Sequence, residues 1–253
     1  MDRRLRPLFP SLRRGIQTLA TGITPAQLPT YYNASKPCLL DFSSLHKLKA
    51  NEKWATDGRI NNEYFESIIT KDGVDPAVGV EKGRMDRDAV ESGGESSDFQ
   101  RFEMPLSFFL QCINHEVPQF RDLYLAQTYL TDSLPSLKDD LSPNPFLENA
   151  SVEAIGFWIG RNTFTPPHYD PSGNIYMMVL GSKKVRLWKP QEKNPLGTAK
   201  LGSNFNFQTG KPDYEVTLEP GQVLFTPQGW FHELESKGLS AAVNWWFRLN
   251  SST

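Results

Sequence analysis

Two histidines and one aspartate in the second half of the chain have the residue types and the spacing of a metal site. His168 and Asp170 are separated by one residue, and in a β-strand the side chains at positions i and i+2 point to the same face. A second imidazole is available further along the chain at His232, after a Pro-Gln-Gly-Trp-Phe segment. Two histidines and one carboxylate on one side of Fe(II) leave the other coordination positions open for O2 and a bidentate ligand.

Short strands separated by turns are the elements that would position these three side chains. This context matters, because a histidine beside an aspartate is by itself commonly a hydrogen-bonded pair in a turn. Glycine and proline punctuate the second half of the chain, and no helical periodicity lies between them, which favours a β-sandwich or jelly roll. We predict strands at residues 123–129, 154–159, 175–180, 184–188, 216–218, 223–226 and 241–247.

The first half of the chain has a different pattern. A short buried strand is expected at residues 37–42, and the apolar spacing that follows predicts a helix over 43–70. Residues 71–98 are rich in Gly, Asp, Glu, Ser and Lys and have too little apolar surface to order themselves fully. We therefore expect a loop in this stretch, exposed above all at residues 87–98.

A second helix is predicted to start at Pro105. Leu106, Phe109, Leu110 and Ile113 recur at positions i, i+3, i+4 and i+7, so that they form one apolar face of a helix. Proline is favoured at the start of a helix, where its missing N–H costs nothing. This segment is therefore expected to pack as an amphipathic helix against the sheet.

Length, charge and cysteine content limit the class of protein. A chain of 253 residues is long enough for one β-rich domain with a sizeable core. The 27 basic and 29 acidic residues nearly balance, so the chain lacks the basic field typical of nucleic-acid binding. Cys38 and Cys112 lie far apart, which argues against a disulfide framework and fits a reducing compartment. Because no apolar stretch reaches the 18 or so residues that cross a bilayer, no membrane partner is expected.

The first 30 residues have a composition of their own. They contain five arginines, and Asp2 is the only acid among them. Such a composition is typical of a mitochondrial presequence. An ordinary basic arm is the alternative, and Pro7 and Pro10 weaken the helix that a presequence requires. We expect residues 1–30 to form this arm or presequence and residues 31–253 to form one domain, in a mitochondrial protein or otherwise a cytoplasmic or nuclear one.

Three separated blocks of sequence surround the candidate ligands in a characteristic order. They are residues 165–188, residues 220–232 and residues 243–246, the last of which reads Val-Asn-Trp-Trp. Together they resemble the JmjC (cupin-like) Fe(II)- and 2-oxoglutarate-dependent oxygenases, most closely the asparaginyl hydroxylase that inhibits hypoxia-inducible factor. The resemblance covers residues 35–249. It implies a mainly β fold, a double-stranded β-helix (jelly roll) with N-terminal helices, that binds Fe(II) at the triad and uses 2-oxoglutarate and O2 as cosubstrates.

The same resemblance implies a pocket for 2-oxoglutarate. A dianion needs a buried cation and hydroxyl donors, and in the family a lysine, a threonine and a tyrosine bind its distal carboxylate. These roles are carried over to Lys183, Thr165 and Tyr124. Lys183 shares strand parity with Val185 and Leu187, so its side chain can point into the barrel.

Further residues are assigned by the resemblance alone. Asn174 and Asn244 match amides that line the iron-proximal end of the cosubstrate, and Gln127 matches a residue near the substrate mouth. Trp230 and Trp246 are interpreted as wall and core aromatics rather than catalytic groups, and His46 and His115 as structural or surface residues.

The resemblance implies an oxygenase that hydroxylates a side chain of a protein substrate. Three alternatives stay open. Hydroxylation of a modified tRNA base, as in the wybutosine pathway, would be served by a basic patch of Lys184, Arg186 and Lys189. Lysine demethylation uses the same chemistry, and a catalytically silent JmjC fold would act only as a binding module. The expected partner is an unidentified protein or a tRNA, and a homodimer is compatible with the sequence.

Overall fold

A computed structural model describes residues 16–45, 48–83, 99–115, 117–120, 122–190 and 211–250. Their strands are β1 (Ala20–Ile23), β2 (Cys38–Leu40), β3 (Ala55–Thr56), β4 (Arg59–Ile60), β5 (Ala77–Lys82), β6 (Gln100–Pro105), β7 (Leu123–Thr128), β8 (Ala150–Arg161), β9 (Phe164–Tyr169), β10 (Gly173–Leu180), β11 (Lys183–Trp188), β12 (Tyr214–Leu218), β13 (Val223–Thr226), β14 (Phe231–Ser236) and β15 (Leu239–Leu249). The α-helices are α1 (Leu28–Asn33), α2 (Ala50–Lys53), α3 (Asn62–Asp72), α4 (Leu106–Asn114) and α5 (Leu130–Ser133), and short 3-10 helices occupy Phe42–Ser44, Pro118–Phe120, Pro135–Asp140 and Pro145–Leu147.

Two sheets pack face to face. In the described part of the chain the smaller sheet has the strand order β12-β11-β14-β9, and the larger has the order β1-β2-β13-β10-β15-β8-β7-β5-β6. Neighbouring strands are antiparallel except β1 and β2, which are parallel. Side chains of both sheets meet in one interior cluster. This arrangement confirms the predicted mainly β, double-stranded β-helix fold.

Strand β10 is buried on both faces and divides the core into two layers. Tyr176 and Met178 face the interior, where they belong to the same cluster as Val185 of the small sheet. Ile175 and Met177 point the other way, into a larger cluster that includes α3 and α4. Burial on both faces explains the continuous apolar sequence of this strand. The helices thus cover the outer face of the large sheet and leave the interior to the site.

The predicted helix over residues 43–70 is wrong in its extent. A hairpin of β3 and β4 interrupts it, because Asp57 and Gly58 both adopt positive φ, at 49° and 73°. Two central residues of positive φ are what a tight two-residue hairpin needs, and Asp-Gly is a preferred pair for it. Helix α3 then begins after Asn61, whose side chain accepts a hydrogen bond from Tyr64 N at 3.2 Å.

The polar stretch after α3 contains a strand that was not predicted. β5 alternates exposed and buried residues, with Val78 and Val80 buried, and it pairs with β6 and β7. Its glycine and charged residues hid this alternation from a reading based on composition. The loop predicted at residues 87–98 lies outside the described residues. The helix predicted after Pro105 is confirmed as α4.

Part of the predicted N-terminal arm belongs to the sheet. β1 lies within residues 1–30 and pairs with β2, with Ala20 opposite Cys38. Leu19 is buried in the interior cluster. The five arginines of the arm lie outside the described residues, so the presequence stays a prediction.

Candidate metal centre

The register of two strands brings the two candidate histidines together. His168 of β9 lies directly opposite His232 of β14, and their ring centroids are 4.3 Å apart. Asp170 follows the end of β9, where its carbonyl accepts a hydrogen bond from Gly229 N at 2.9 Å. The distance from His232 Nε2 to Asp170 Oδ2 is 3.5 Å, and the distance from His168 Nε2 to Asp170 Oδ1 is 4.0 Å. The three side chains offer ligand atoms that all lie within 4.8 Å of one another.

Backbone carbonyls fix the orientation of both imidazoles. His168 Nδ1 lies 2.8 Å from the carbonyl oxygen of Pro166, and His232 Nδ1 lies 3.0 Å from that of Trp230. A carbonyl oxygen can only accept, so each Nδ1 carries the proton and donates. Each imidazole therefore turns its Nε2 towards the carboxylate. This is how metal-binding histidines are usually held.

A chain of hydrogen bonds from buried side chains orients the carboxylate. Asn174 donates from Nδ2 to Asp170 Oδ2 at 2.7 Å. Asn244 donates from Nδ2 to Asn174 Oδ1 at 3.1 Å, and Trp158 Nε1 donates to Asn244 Oδ1 at 2.7 Å. Each amide is thus oriented by the donor behind it, and the chain ends on the carboxylate.

The electrostatics of the site favour the protonation states that a cation needs. Burial acts to raise the pKa of Asp170, but the nearby His232 and His168 and the hydrogen bonds from Trp246 and Asn174 hold it below its usual value. Burial, with His168 close by, lowers the pKa of His232 to about 4. At neutral pH the carboxylate is therefore ionised and the His232 imidazole is neutral, as metal binding requires.

A cavity of about 390 Å³ adjoins the three side chains. Its wall includes Thr165 and Asn174 and the aromatic residues Trp158, Tyr176 and Trp246. A more open cleft of about 730 Å³ shares Trp158, Thr165 and the His168 side chain with it. The two spaces therefore meet beside the candidate ligands, one enclosed in the barrel and the other open towards solvent.

The other end of the site holds a buried lysine. Lys183 is 1% exposed, and its Nζ lies 3.2 Å from Tyr124 Oη, which is 3.1 Å from Thr165 Oγ1. The amine lies 5.0 to 6.0 Å from the ring centroids of Tyr124, Trp158 and Tyr176. Burial lowers the pKa of Lys183 to about 7. The described part of the chain pairs no carboxylate with this amine, so the position suits an anionic ligand.

The residues predicted for the cosubstrate pocket occupy different depths. Thr165 and Asn174 line the inner cavity, and Tyr124 lines the outer cleft. Lys183 and Asn244 lie behind this lining and act through Tyr124 and Asn174 respectively. The structure therefore places three of the predicted residues in the lining of the two adjoining spaces and two directly behind it, and it gives the two asparagines a role at the carboxylate of the metal site.

Residues outside the inner pocket also have defined places. Gln127 lines the outer cleft, adopts a φ of 49° and donates from Nε2 to Tyr129 Oη at 2.9 Å. Trp230 donates from Nε1 to the carbonyl oxygen of Ser35 at 3.1 Å, which agrees with a structural role. His115 is exposed at the end of α4, and His46 lies outside the described residues.

The prediction that Trp246 is a wall or core aromatic is confirmed, because it lines the cavity. Its contribution to the lowered pKa of Asp170 was not predicted. The signal was present, because Asn244 and Trp246 occupy positions i and i+2 of β15 and must share a face. Tyr176 carried the same signal, because it lies two residues after Asn174 in β10, whereas Trp158 carried none.

The donor set fits Fe(II). Two imidazoles and one ionised carboxylate, oriented by their own hydrogen bonds, are the protein ligands of non-haem Fe(II) sites, which keep other positions open. No thiol contributes, since both cysteines are buried elsewhere. The implied Fe(II) is therefore compatible with the residues present.

Comparison with known proteins agrees with this fold and site. The model of the cupin-like domain family matches residues 25–253. Lysine-specific demethylase JMJ31 of Arabidopsis thaliana is 32% identical over 154 residues, which are 51% of this chain and 28% of that protein. Lysine-specific demethylase 8 of Xenopus tropicalis is 31% identical over 144 residues, which are 49% of this chain and 32% of that protein.

Two more distant matches cover most of the chain. tRNA wybutosine-synthesizing protein 4 of Gibberella zeae is 25% identical over 222 residues, which are 78% of this chain and 20% of that protein. The X-ray structure of E. coli ycfD superimposes with a TM-score of 0.54 at 12% identity and covers 89% of this chain and 53% of that one. The latter likeness concerns the fold alone.

This chain spans less than half of the length of each of these curated relatives. Among the residues that the structure describes, no helix is long and apolar enough to cross a membrane.

Although the relatives are covered only in part, the family model covers nearly the whole of this chain, and the metal triad is complete. The chain therefore belongs to the cupin-like (JmjC) domain family.

Proposed function

We propose that the protein is an Fe(II)- and 2-oxoglutarate-dependent oxygenase that hydroxylates a side chain of a protein substrate. The observation that carries this proposal is the pairing of a complete metal triad beside a cavity with a buried lysine behind the cavity lining, which no carboxylate of the described residues pairs with. A dianionic 2-oxo acid could bind the metal through its 2-oxo acid group and the lysine through its distal carboxylate. Either feature alone would be compatible with many proteins, but together they support a dianionic 2-oxo acid as the cosubstrate.

In this proposal His168, Asp170 and His232 hold Fe(II), which with O2 and 2-oxoglutarate supplies the oxidation of a substrate C–H bond and releases succinate and CO2. Lys183, once protonated, and Tyr124 bind the distal carboxylate. A cation beside hydroxyl donors binds a carboxylate through charge-assisted hydrogen bonds, which are roughly twice as strong as neutral ones.

The remaining residues of the cavity orient the metal-binding carboxylate and exclude water. Asn174 holds Asp170 in position, so the carboxylate needs no reorganisation when the cation binds. Trp158 and Trp246 wall the cavity and pack edge to face, with ring centroids 6.3 Å apart. Aromatic walls keep bulk water from the reacting atoms.

The charge around the outer cleft supports a protein substrate. Arg101 and Glu81 both line it, with Arg101 Nε 3.2 Å from Glu81 Oε1, and Phe164 and Pro166 add apolar surface to the same lining. Gln127 contributes an amide to this lining. A cleft with one neutralised cation and apolar walls suits a peptide side chain better than a polyanion.

The predicted basic patch gives little support to a tRNA substrate. Lys184 and Arg186 both pair with Glu215, and Arg186 also pairs with Glu233. Their charge is therefore compensated within the sheet. The relative named for wybutosine synthesis keeps tRNA-base hydroxylation as an alternative, but no charge feature of the described residues favours it.

Lysine demethylation is a second candidate, and the printed names of JMJ31 and of lysine-specific demethylase 8 favour it. Hydroxylation of an N-methyl group makes a hemiaminal that releases formaldehyde, so the same site could perform either reaction. Formaldehyde release from methyl-lysine peptides would identify demethylation. A stable mass gain of one oxygen on a peptide would identify hydroxylation.

The test of the oxygenase proposal is turnover of 2-oxoglutarate to succinate with Fe(II) and O2 in the absence of a second substrate. The wild-type chain is expected to form succinate, and Asp170→Ala is expected to form none, because the metal loses its only protein carboxylate. A binding module without activity would form no succinate in either case. Equal turnover in both proteins would place the metal elsewhere.

A further inference from the structure

A charged row of side chains lies directly behind one of the metal ligands. Glu233 follows His232 in β14 and is 1% exposed. Arg186 donates from Nη1 to Glu233 Oε1 and from Nε to Glu215 Oε2, the latter at 2.7 Å. Lys184 Nζ lies 3.1 Å from Glu215 Oε1. Burial acts to lower the pKa of Arg186, but its hydrogen bonds to Glu233 and Glu215 hold that pKa above its usual value.

Strand register places this row one residue away from the ligand. Arg186 of β11 lies opposite Glu215 of β12 on one side and opposite Glu233 of β14 on the other. The next position of β11, Leu187, lies opposite His232. Because side chains alternate along a strand, His232 faces the cavity while Glu233 faces the opposite side of the sheet. The ion pair therefore acts on the same strand as the ligand without entering the cavity.

The other edge of β14 is weakly supported at this position. Its pairing with β9 shifts register between His232 and Leu234, so Glu233 faces two residues, Pro166 and Pro167, rather than one. Prolines have no N–H to donate to the ladder. The carbonyl of Pro166 already accepts from the imidazole of the first metal histidine. At Glu233, support for β14 must therefore come mainly from β11.

We propose that Arg186 and Glu233 are positioning residues that hold His232 in place for the metal. Removing the Arg186 guanidinium would take away a charge-assisted hydrogen bond that joins β11 to β14 next to His232, and β14 would shift at that position. Because Glu233 is the neighbour of His232 beside an irregular ladder, this movement would displace the imidazole. Loss of residues that orient a metal ligand typically weakens metal binding about 10- to 100-fold. The inference rests on the metal centre of the proposed function.

Lys184 provides a matched control. It lies on the same strand and the same face as Arg186, and its ammonium pairs with the same Glu215. It lies opposite Glu235 in β14, two residues beyond Glu233. Lys184→Met therefore removes one charge of the row and leaves the Arg186–Glu233 pair in place. Its binding of metal is expected to equal that of the wild type.

The test is a Mn(II) titration by calorimetry of metal-free wild type, Arg186→Met, Glu233→Gln and Lys184→Met, with folding checked by circular dichroism. We expect Mn(II) to bind about tenfold more weakly to Arg186→Met. A smaller loss is expected for Glu233→Gln, because its amide oxygen still accepts from Arg186. Lys184→Met should bind as the wild type does.

Three results overturn the inference. They are wild-type affinity in folded Arg186→Met, wild-type affinity in Glu233→Gln, or a loss in Lys184→Met equal to that in Arg186→Met. If Arg186→Met does not fold, the inference is tested by the other two variants. It then requires Mn(II) to bind more weakly to Glu233→Gln than to Lys184→Met. Failure of the wild type to bind Mn(II) would instead contradict the metal centre itself, so the two failures are distinct.

Discussion

The side-chain amide of Asn174 lies 2.7 Å from the carboxylate of Asp170 and donates to the oxygen that also faces His232 Nε2. This contact links the metal site to the interior of the large sheet, because Asn174 is itself held by Asn244. A carboxylate fixed in this way is ready for a cation before one arrives. Several expected outcomes follow from it and from the lysine at the far end of the cavity.

Asn174→Ala is expected to weaken metal binding about 10- to 100-fold while the fold persists. The substitution removes the donor to Asp170 and leaves Asn244 Nδ2 without its acceptor. Mn(II) titration measures the effect. Asn250→Ala, which changes an exposed asparagine near the end of β15, is the control and should bind metal normally. Equal affinities in the two variants would remove Asn174 from the site.

Lys183→Met is expected to raise the dissociation constant of 2-oxoglutarate roughly 30-fold or more, since truncating one partner of a buried charge pair costs about 2 kcal/mol or more. Metal affinity should not change, because Lys183 contacts Tyr124 and none of the three ligands. Calorimetric titration of 2-oxoglutarate into the Mn(II)-loaded proteins measures both quantities. An unchanged dissociation constant would exclude Lys183 from the pocket.

The affinity for 2-oxoglutarate is expected to fall as the pH rises above about 7. Burial lowers the pKa of Lys183 to about 7 without a ligand, and a bound carboxylate favours the charged amine and raises that pKa. Binding therefore takes up a proton above pH 7, and each further pH unit should weaken binding by up to about tenfold. Below pH 7 the amine is already charged and this dependence disappears.

Proton uptake can be measured directly. Titrations at pH 8 in buffers of different ionisation enthalpy give the number of protons bound with the cosubstrate. Lys183→Met should show no such uptake. If the wild type and this variant take up the same number of protons, another group is responsible for the pH dependence.

Gly156→Ala is expected to disturb the metal site from a distance. A Cβ at Gly156 would lie 2.5 Å from Asn244 Oδ1 and 2.8 Å from Trp246 Cζ3, and both of these residues act on Asp170 or its partner. Overpacking of this kind costs about 1–3 kcal/mol of unfolding free energy. We expect weaker Mn(II) binding and a lower unfolding midpoint.

Gly79→Ala is the control for this prediction. No atom lies within 4 Å of a Cβ at Gly79 in β5, so the midpoint should hold or rise slightly. A midpoint and a metal affinity that are unchanged in Gly156→Ala would show that β15 has room to move. The link between Asn244 and the carboxylate would then be less rigid than the contacts indicate.

Much of the site could be predicted from strand periodicity. His168 and Asp170 needed only the alternation of a strand, and the inward direction of Lys183 followed from its parity with Val185. The opposition of His168 and His232 could not be predicted in this way, because it depends on the register of β14 against β9. A shift of one residue there would have turned the second imidazole away from the cavity.

The parts that escaped prediction have local causes. A turn with positive φ at Asp57 and Gly58 divides a segment whose apolar spacing resembles a helix. In β5, charged and glycine residues on the exposed face concealed Val78 and Val80 on the buried face. The ion pair of Arg186 and Glu233 requires β11 and β14 to be in register, which composition does not encode.

An anaerobic Fe(II) titration of the wild type and His232→Ala tests the metal centre most directly. His232 is the ligand that only the fold brings to the other two, so its loss should be decisive. We expect one Fe(II) per wild-type chain and an affinity weakened by more than about 100-fold in a folded His232→Ala, beyond the effect of losing an orienting residue. Equal Fe(II) affinity in the two proteins would contradict the assignment of the three ligands.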